Sequence, residues 1–173
     1  GLDFETKLIA RPDAPGVLDR ELGRRGYVPA AIAIGTNTDP YQPVERKLNI
    51  TRSILEVLAE ARHPVAITTR STLLLRDLDL LAPMARQGLV MVIFSMTTFD
   101  ADLKRKLEPR SAASEARLHA IRALRHAGVP VVRCGDNHCV QRLVLQHPPV
   151  VRVPACSRAG FLQPGLEIRL IDI

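Results

Sequence analysis

Four short apolar segments rich in Val, Ile and Ala punctuate the chain: Ala30 to Gly35, Val65 to Arg70, Leu89 to Met96 and Val129 to Arg133. Each has the length of a β-strand. Ile32-Ala33-Ile34 and Val90-Met91-Val92-Ile93-Phe94 are apolar at consecutive positions, as in strands covered on both faces. The intervening stretches carry helical periodicity instead. Pro15 suits a helix's first turn and Gly26 its end, with Val17, Leu18 and Leu22 on one face. Ile50, Ile54, Leu55 and Leu58 form the stripe of a second helix, stopped near His63 because Pro64 disfavours helix at the residue before it. Asp77 is placed to cap a third, with Leu78, Leu81 and Met84 inward and Gly88 as the stop; Pro83 predicts a kink or a late start there. Ser114 is placed to cap a fourth, carrying Leu118, Ile121 and Leu124 to Gly128.

The order is thus a helix, three strand-helix units and a strand, with strand spacings of roughly 25 to 40 residues that suit right-handed crossovers. The fold class is α/β, a partial parallel (β/α) barrel, since a full eight-unit barrel takes about 250 residues. Residues 1–131 form that partial core. From 132 to 173 the periodicity dissolves around Pro148-Pro149, leaving an unassigned tail with weak strands at Val150 to Val153 and Glu167 to Ile171.

Composition changes this picture little. The chain of 173 residues is 46% hydrophobic, enough for one buried core. It has no apolar run near the roughly 18 residues of a membrane span and no basic-then-apolar leader, so a soluble cytoplasmic protein without a membrane partner is expected. Gly1 in place of Met reads as a truncation point or the scar of a removed tag. The net charge of +6 is a reason to consider a nucleic-acid partner, although the arginines are spread along the chain and aromatics are few. Cys134, Cys139 and Cys156 match neither an even disulfide set nor paired zinc spacing, even with His138 or His147 added, so reduced thiols and no metal ligands are expected.

In a parallel sheet ligands gather at the carboxyl ends of the strands. Three of these ends turn abruptly polar: Gly35-Thr36-Asn37-Thr38-Asp39 after the first strand, Thr68-Thr69-Arg70-Ser71-Thr72 after the second, and Ser95-Met96-Thr97-Thr98 after the third, with Glu108-Pro109-Arg110 beyond a short helix. Hydroxyls with an arginine suit a ribose and a carboxylate. The plainer alternative is that turns in any α/β protein face water.

Several of these strings in order, from Gly1-Leu2-Asp3-Phe4-Glu5-Thr6-Lys7-Leu8 through Gly35-Thr36-Asn37-Thr38-Asp39-Pro40-Tyr41-Gln42-Pro43-Val44-Glu45, Ile67-Thr68-Thr69-Arg70-Ser71, Arg76-Asp77-Leu78-Asp79-Leu80-Leu81 and Leu107-Glu108-Pro109-Arg110 to Ala127-Gly128-Val129, resemble bacterial radical S-adenosylmethionine (SAM) proteins related to spore photoproduct lyase, a DNA repair photolyase-like group. The resemblance spans residues 1 to about 131. It implies a TIM-like barrel whose parent is a metal-binding, lyase-like enzyme. There a [4Fe-4S] cluster on a three-cysteine loop after the first barrel strand cleaves SAM to a 5′-deoxyadenosyl radical.

By that resemblance the cluster loop lies upstream of Gly1, its cysteines are absent from this chain, and the fragment alone is inactive. Gly35, Thr36 and Asn37 take the place of a Gly-Gly-Glu element that meets the SAM amino group, with the second Gly and the Glu missing. Thr69, Arg70, Ser71 and Ser95 stand where relatives place a basic residue and hydroxyls near SAM, and Arg110 is a candidate partner for its carboxylate. Arg117 is read as a surface or interhelix arginine. The tail reads as a frameshifted continuation, the substrate as a nucleic-acid lesion by analogy, and the competing class is a noncatalytic α/β module binding nucleic acid or protein.

Overall fold

The consecutive apolar segments become adjacent strands of one sheet. The computed structural model describes residues 8–96, 98, 100–109, 111–134 and 169–170. Strands β1 (Ile32–Ile34), β2 (Val65–Thr69), β3 (Val90–Ser95) and β4 (Val131–Cys134) lie side by side in sequence order, and β5 (Arg169–Leu170) flanks β1 on the other side. Every pairing is parallel. The four successive neighbours β1 to β4 are consistent with the wall of a partial (β/α) barrel, and β5 extends the sheet beyond β1. The expected strand at Glu167 to Ile171 contains β5. That at Val150 to Val153 lies outside the described residues, as do His138, Cys139, His147 and Cys156 and the chain before Leu8.

The register sorts side chains onto two faces. Ile32, Val65 and Val90 form one row, and Ile34, Ile67, Val92 and Val131 the next. These pack against the helices: Ile54, Leu55 and Leu58 of α3 (Ile50–Glu60), Leu81 and Met84 of α4 (Leu78–Arg86), and Ala120, Ile121 and Leu124 of α6 (Ser114–His126). Each Val, Leu, Ile or Met side chain among them contributes about 1.5–3 kcal/mol when fully buried. The opposite face carries the rows Ala33, Ala66, Met91 and Thr68, Ile93, Val132. Small and hydroxyl side chains dominate it at β1 and β2, where a barrel interior would lie.

Local details depart from the sequence expectation in four places. Helix α1 (Ala14–Leu22) has Pro15 in its first turn but stops at Gly23, and Gly26 serves the following turn at φ 85°. Asp77 precedes α4 without capping it, because Arg52, Arg76 and Tyr41 recruit its fully buried carboxylate. Ser114 is the first residue of α6 rather than its cap, and its hydroxyl donates to the Thr98 carbonyl. A short helix, α2 (Glu45–Leu48), precedes α3 and was not expected. Helix α4 begins at Leu78, as the Asp77 position predicted, with Pro83 inside it rather than in a late first turn, and a 3-10 helix over Thr72–Asp77 leads into it. The short helix expected before Glu108 is α5 (Ala101–Leu107). No helix among the described residues is long and apolar enough to cross a membrane.

Three helices hand over to strands by the same device. Gly88 and Gly128 take the left-handed conformation (φ 69° and 77°), and the next amide reaches back to close the last turn, Leu89 to Met84 and Val129 to Leu124. After α3 the same place is held by Arg62 at φ 51°, with the His63 amide donating to Leu58. His63 is 3% exposed. Its Nδ1 lies 3.0 Å from the Pro64 carbonyl, which only accepts, so Nδ1 carries the proton and Nε2 accepts from the Tyr27 hydroxyl at 2.7 Å. Burial lowers the imidazole pKa from its ordinary 6.5, opposed by the Pro64 carbonyl. The unfolded chain therefore binds the proton first as pH falls. Stability is complete above about pH 6.5 and declines below it until the folded-state pKa is reached. Urea midpoints measured from pH 7.5 to 5.5 should fall for the parent chain and stay flatter for His63→Gln; equal slopes would exclude His63 as the cause.

Candidate functional site at the carboxyl edge of the sheet

All four strand ends open on one edge, since Ile34 pairs with Ile67, Thr69 with Phe94 and Ser95 with Cys134 in one direction. The loop after β1 begins at Gly35, where φ is 86°. A Cβ there would stand 2.1 Å from the Thr68 carbonyl oxygen, inside the neighbouring strand. Only glycine lets the chain turn away so close to β2.

The rest of that loop is pinned from below. The Thr51 hydroxyl donates to the Pro40 carbonyl at 2.6 Å, and the buried Tyr41 ring sends its hydroxyl to Asp77 at 3.0 Å. Burial first, and then the charge of Asp77, hold the Tyr41 phenol well above its ordinary pKa, so it stays a donor. Arg52 and Arg76 neutralise Asp77, and Arg76 also pairs with the buried Glu45 at 3.0 Å. The outer end of Arg52 binds Asp79, whose carboxyl is held below its ordinary pKa by that hydrogen bond.

Asp39 joins the first exit to the second. Its carboxylate accepts from the Tyr41 amide (2.9 Å), the Thr69 hydroxyl (2.7 Å) and the Arg70 amide (2.9 Å). Thr69 is 2% exposed, and its oxygen also accepts from the Ser71 amide. Ser71 in turn caps the 3-10 helix by accepting from Leu73. Both hydroxyls thus hold the backbone. By strand alternation Thr68, Arg70 and Ser95 belong with Ala33, Ala66 and Ile93 on the face opposite Ile34, Ile67 and Val92.

Glu108 joins the second exit to the third. The Arg70 guanidinium meets its Oε1 at 3.0 Å, and Arg117 meets its Oε2 at 2.6 Å. Arg117 also donates to the Ser95 carbonyl at 3.2 Å and to the Ser111 hydroxyl. Of the two expectations for Arg117, surface or interhelix, its 2% exposure excludes the first; it is buried between α6 and the β3 exit because it shares the apolar stripe of Ala120, Ile121 and Leu124. Lys104, 9% exposed, holds the same turn through the Ser111 carbonyl.

The predicted residues therefore fall into two groups. Gly35, Thr36 and Asn37 line a cleft of about 100 Å³ between Leu8–Arg11, the β1 loop and the start of α3. That volume is below the roughly 300 Å³ of a small-molecule pocket and suits only one end of a ligand. Arg70 and Ser95 stand on the neighbouring exits, outside that cleft. Arg110 lies outside the described residues. Asp39, Thr68, Glu108 and Arg117 were missed; for Arg117 the signal was a charged residue three and seven positions before buried apolar ones.

A parallel sheet with four strands in sequence order and a polar carboxyl edge is that of a partial (β/α) barrel. The sequence pattern of the radical SAM superfamily matches residues 18–144, and the chain belongs to that superfamily. An uncharacterized protein of Mycobacterium tuberculosis is 39% identical over 129 residues, covering 75% of this chain and 38% of the relative. Another, from Methanocaldococcus jannaschii, is 29% identical over 109 residues, covering 63% of this chain and 40% of the relative. A protein of Acidianus two-tailed virus is 32% identical over 100 residues, covering 58% and 32%. The chain thus spans well under half the length of these relatives. No solved structure matches it.

Membership implies SAM and an iron-sulfur cluster for the superfamily in general. Among the described residues no group of three or more His, Cys, Asp or Glu could hold a metal ion, so that part of the chain does not fit a cluster. It does fit part of SAM: a glycine-lined cleft, a small-residue face and an arginine along one edge. Gly35→Ala should cost about 3 kcal/mol or more, since strain at positive φ adds to overlap with backbone. A urea midpoint equal to that of the parent chain would contradict this placement.

Proposed function

We propose that this chain forms the SAM-facing wall of a radical SAM enzyme of the spore photoproduct lyase-like kind, acting on a nucleic-acid lesion. The observation that carries it is the gathering of Gly35, Arg70 and Ser95 at one edge of a parallel sheet in a chain of this superfamily. SAM, when bound, supplies the adenosyl group from which the superfamily's radical chemistry starts. The residues of this chain bind and orient it. Gly35 gives the close approach beside β1, with the exposed Thr36 and Asn37 offering polar atoms to an amino-acid end. The Ser95 and Thr68 positions offer hydroxyls to a ribose, and Arg70, Arg110 or both offer a cation to the carboxylate. Thr69 and Ser71 act from behind, fixing the loop that presents Arg70. The formal charge of +6 supports a polyanionic substrate.

Titrating SAM into the 173-residue chain by calorimetry should give weak, saturable binding in the millimolar range. Arg70→Ala and Ser95→Ala should each weaken it about threefold or more, as a lost hydrogen bond of about 1 kcal/mol predicts. Absence of SAM binding, with DNA binding whose log affinity falls linearly with log salt, would replace this reading by a noncatalytic nucleic-acid module.

Cys134, Cys139 and Cys156 lack the spacing of a cluster triad. Anaerobic reconstitution of this chain with iron and sulfide should therefore leave it colourless. A stoichiometric iron-sulfur absorbance would make those cysteines ligands.

A further inference from the structure

We propose that Arg117 is a positioning residue for Arg70, acting through a carboxylate that the two share. Glu108 presents Oε2 to Arg117 at 2.6 Å and Oε1 to Arg70 at 3.0 Å. The two arginines differ in kind. The Arg117 side chain is 2% exposed and anchored a second time on the Ser95 carbonyl, whereas that of Arg70 is 46% exposed. Arg117 thus fixes the carboxylate in space, and the carboxylate holds the exposed arginine.

The burial argues that this arrangement has a use. The Arg117 Nε is buried without a hydrogen-bond partner, so the guanidinium lies in the interior with one donor unsatisfied. An arginine on an apolar stripe is costly there, and a leucine would pack the same position without that penalty. The terminal nitrogens have instead been aimed at the β3 exit, at Ser111 and at Glu108. With Lys104 on the Ser111 carbonyl, two buried cations clamp the turn that carries Glu108. Arg70 comes from a different exit, 38 residues before Glu108, and its backbone is held separately by Asp39. Backbone and guanidinium are therefore fixed from opposite sides, which presents the cation at the edge in one orientation before any anion arrives. Less ordering is left to be done on binding.

The inference rests on the SAM-facing reading only for what Arg70 meets; the coupling between the two arginines stands apart from it. Two readouts separate these parts. The first is the ¹⁵Nε–¹Hε signal of Arg70, assigned with Arg70→Ala, which reports guanidinium rotation. Arg117→Lys keeps the charge but cannot reach Glu108 and Ser95 together with a fork. It should free the Arg70 rotation while circular dichroism shows the fold retained. The second is SAM affinity in a double-mutant cycle. Arg117→Lys should weaken SAM binding about threefold in the parent chain and leave it unchanged in an Arg70→Ala background.

Equal weakening in both backgrounds, or Arg70 rotation unaffected by Arg117→Lys, overturns the inference and leaves Arg117 a structural residue. If the chain binds no SAM, the functional reading fails, and the Arg70 signal alone decides the positioning. If Arg117→Lys does not fold, Arg117→Gln replaces it: the amide removes the charge that anchors Glu108, leaves the direct Arg70–Glu108 pair in place, and should free Arg70 in the same way.

Discussion

A carboxylate has two oxygens and can accept from two sides at once, and at the edge of this sheet that property joins loops that the strands merely bring near one another. Asp39 ties the β1 exit to the β2 exit through the Thr69 hydroxyl and the Arg70 amide. Glu108 ties the β2 exit to the β3 exit through Arg70 and Arg117. Parallel pairing supplies the common edge, and these two side chains fasten the exits at that edge, above the Tyr41–Asp77 and Arg76–Glu45 ties. A ligand that touches several exits needs them held in register, because each loop ordered on binding subtracts from affinity.

The interior shows the same logic one layer down. Asp77 is fully buried, yet it accepts from Tyr41, Arg52 and Arg76, and Glu45 beside it pairs with Arg76. A buried carboxylate is tolerated when its lone pairs are filled and its charge is met. Tyr41 belongs at once to this cluster and to the β1 loop, so the loop that carries Thr36 and Asn37 is braced against the helix layer. The tip stays exposed while its base is rigid.

The two faces of the sheet differ in what they carry. Large apolar rows meet the helices and account for the core, while the other face carries the small or hydroxyl residues Ala33, Ala66 and Thr68 beside Gly35. Thr69 and Thr68 are chemically alike and adjacent, yet Thr69 packs on the helix side with its hydroxyl engaged and Thr68 faces away from it. Membership in the radical SAM superfamily accords with this layout, the cluster-binding part being foreign to the described residues.

Local pattern was enough to determine the strands, their parallel class and the edge on which polar residues collect, because consecutive apolar residues, helical stripes and stop glycines such as Gly88 and Gly128 act over a few positions. It also marked Gly35, Arg70 and Ser95 by their place at strand ends. The tertiary structure alone decided that Asp77 would leave its capping role for two arginines, that Asp39 and Glu108 would be the fasteners, and that Arg117 would lie inside. Most of those outcomes depend on groups 9 to 38 residues apart in the chain meeting in the fold. In a sequence, such a charge looks the same as one on a solvated turn; only the packing around it shows that it has lost its water and taken a partner.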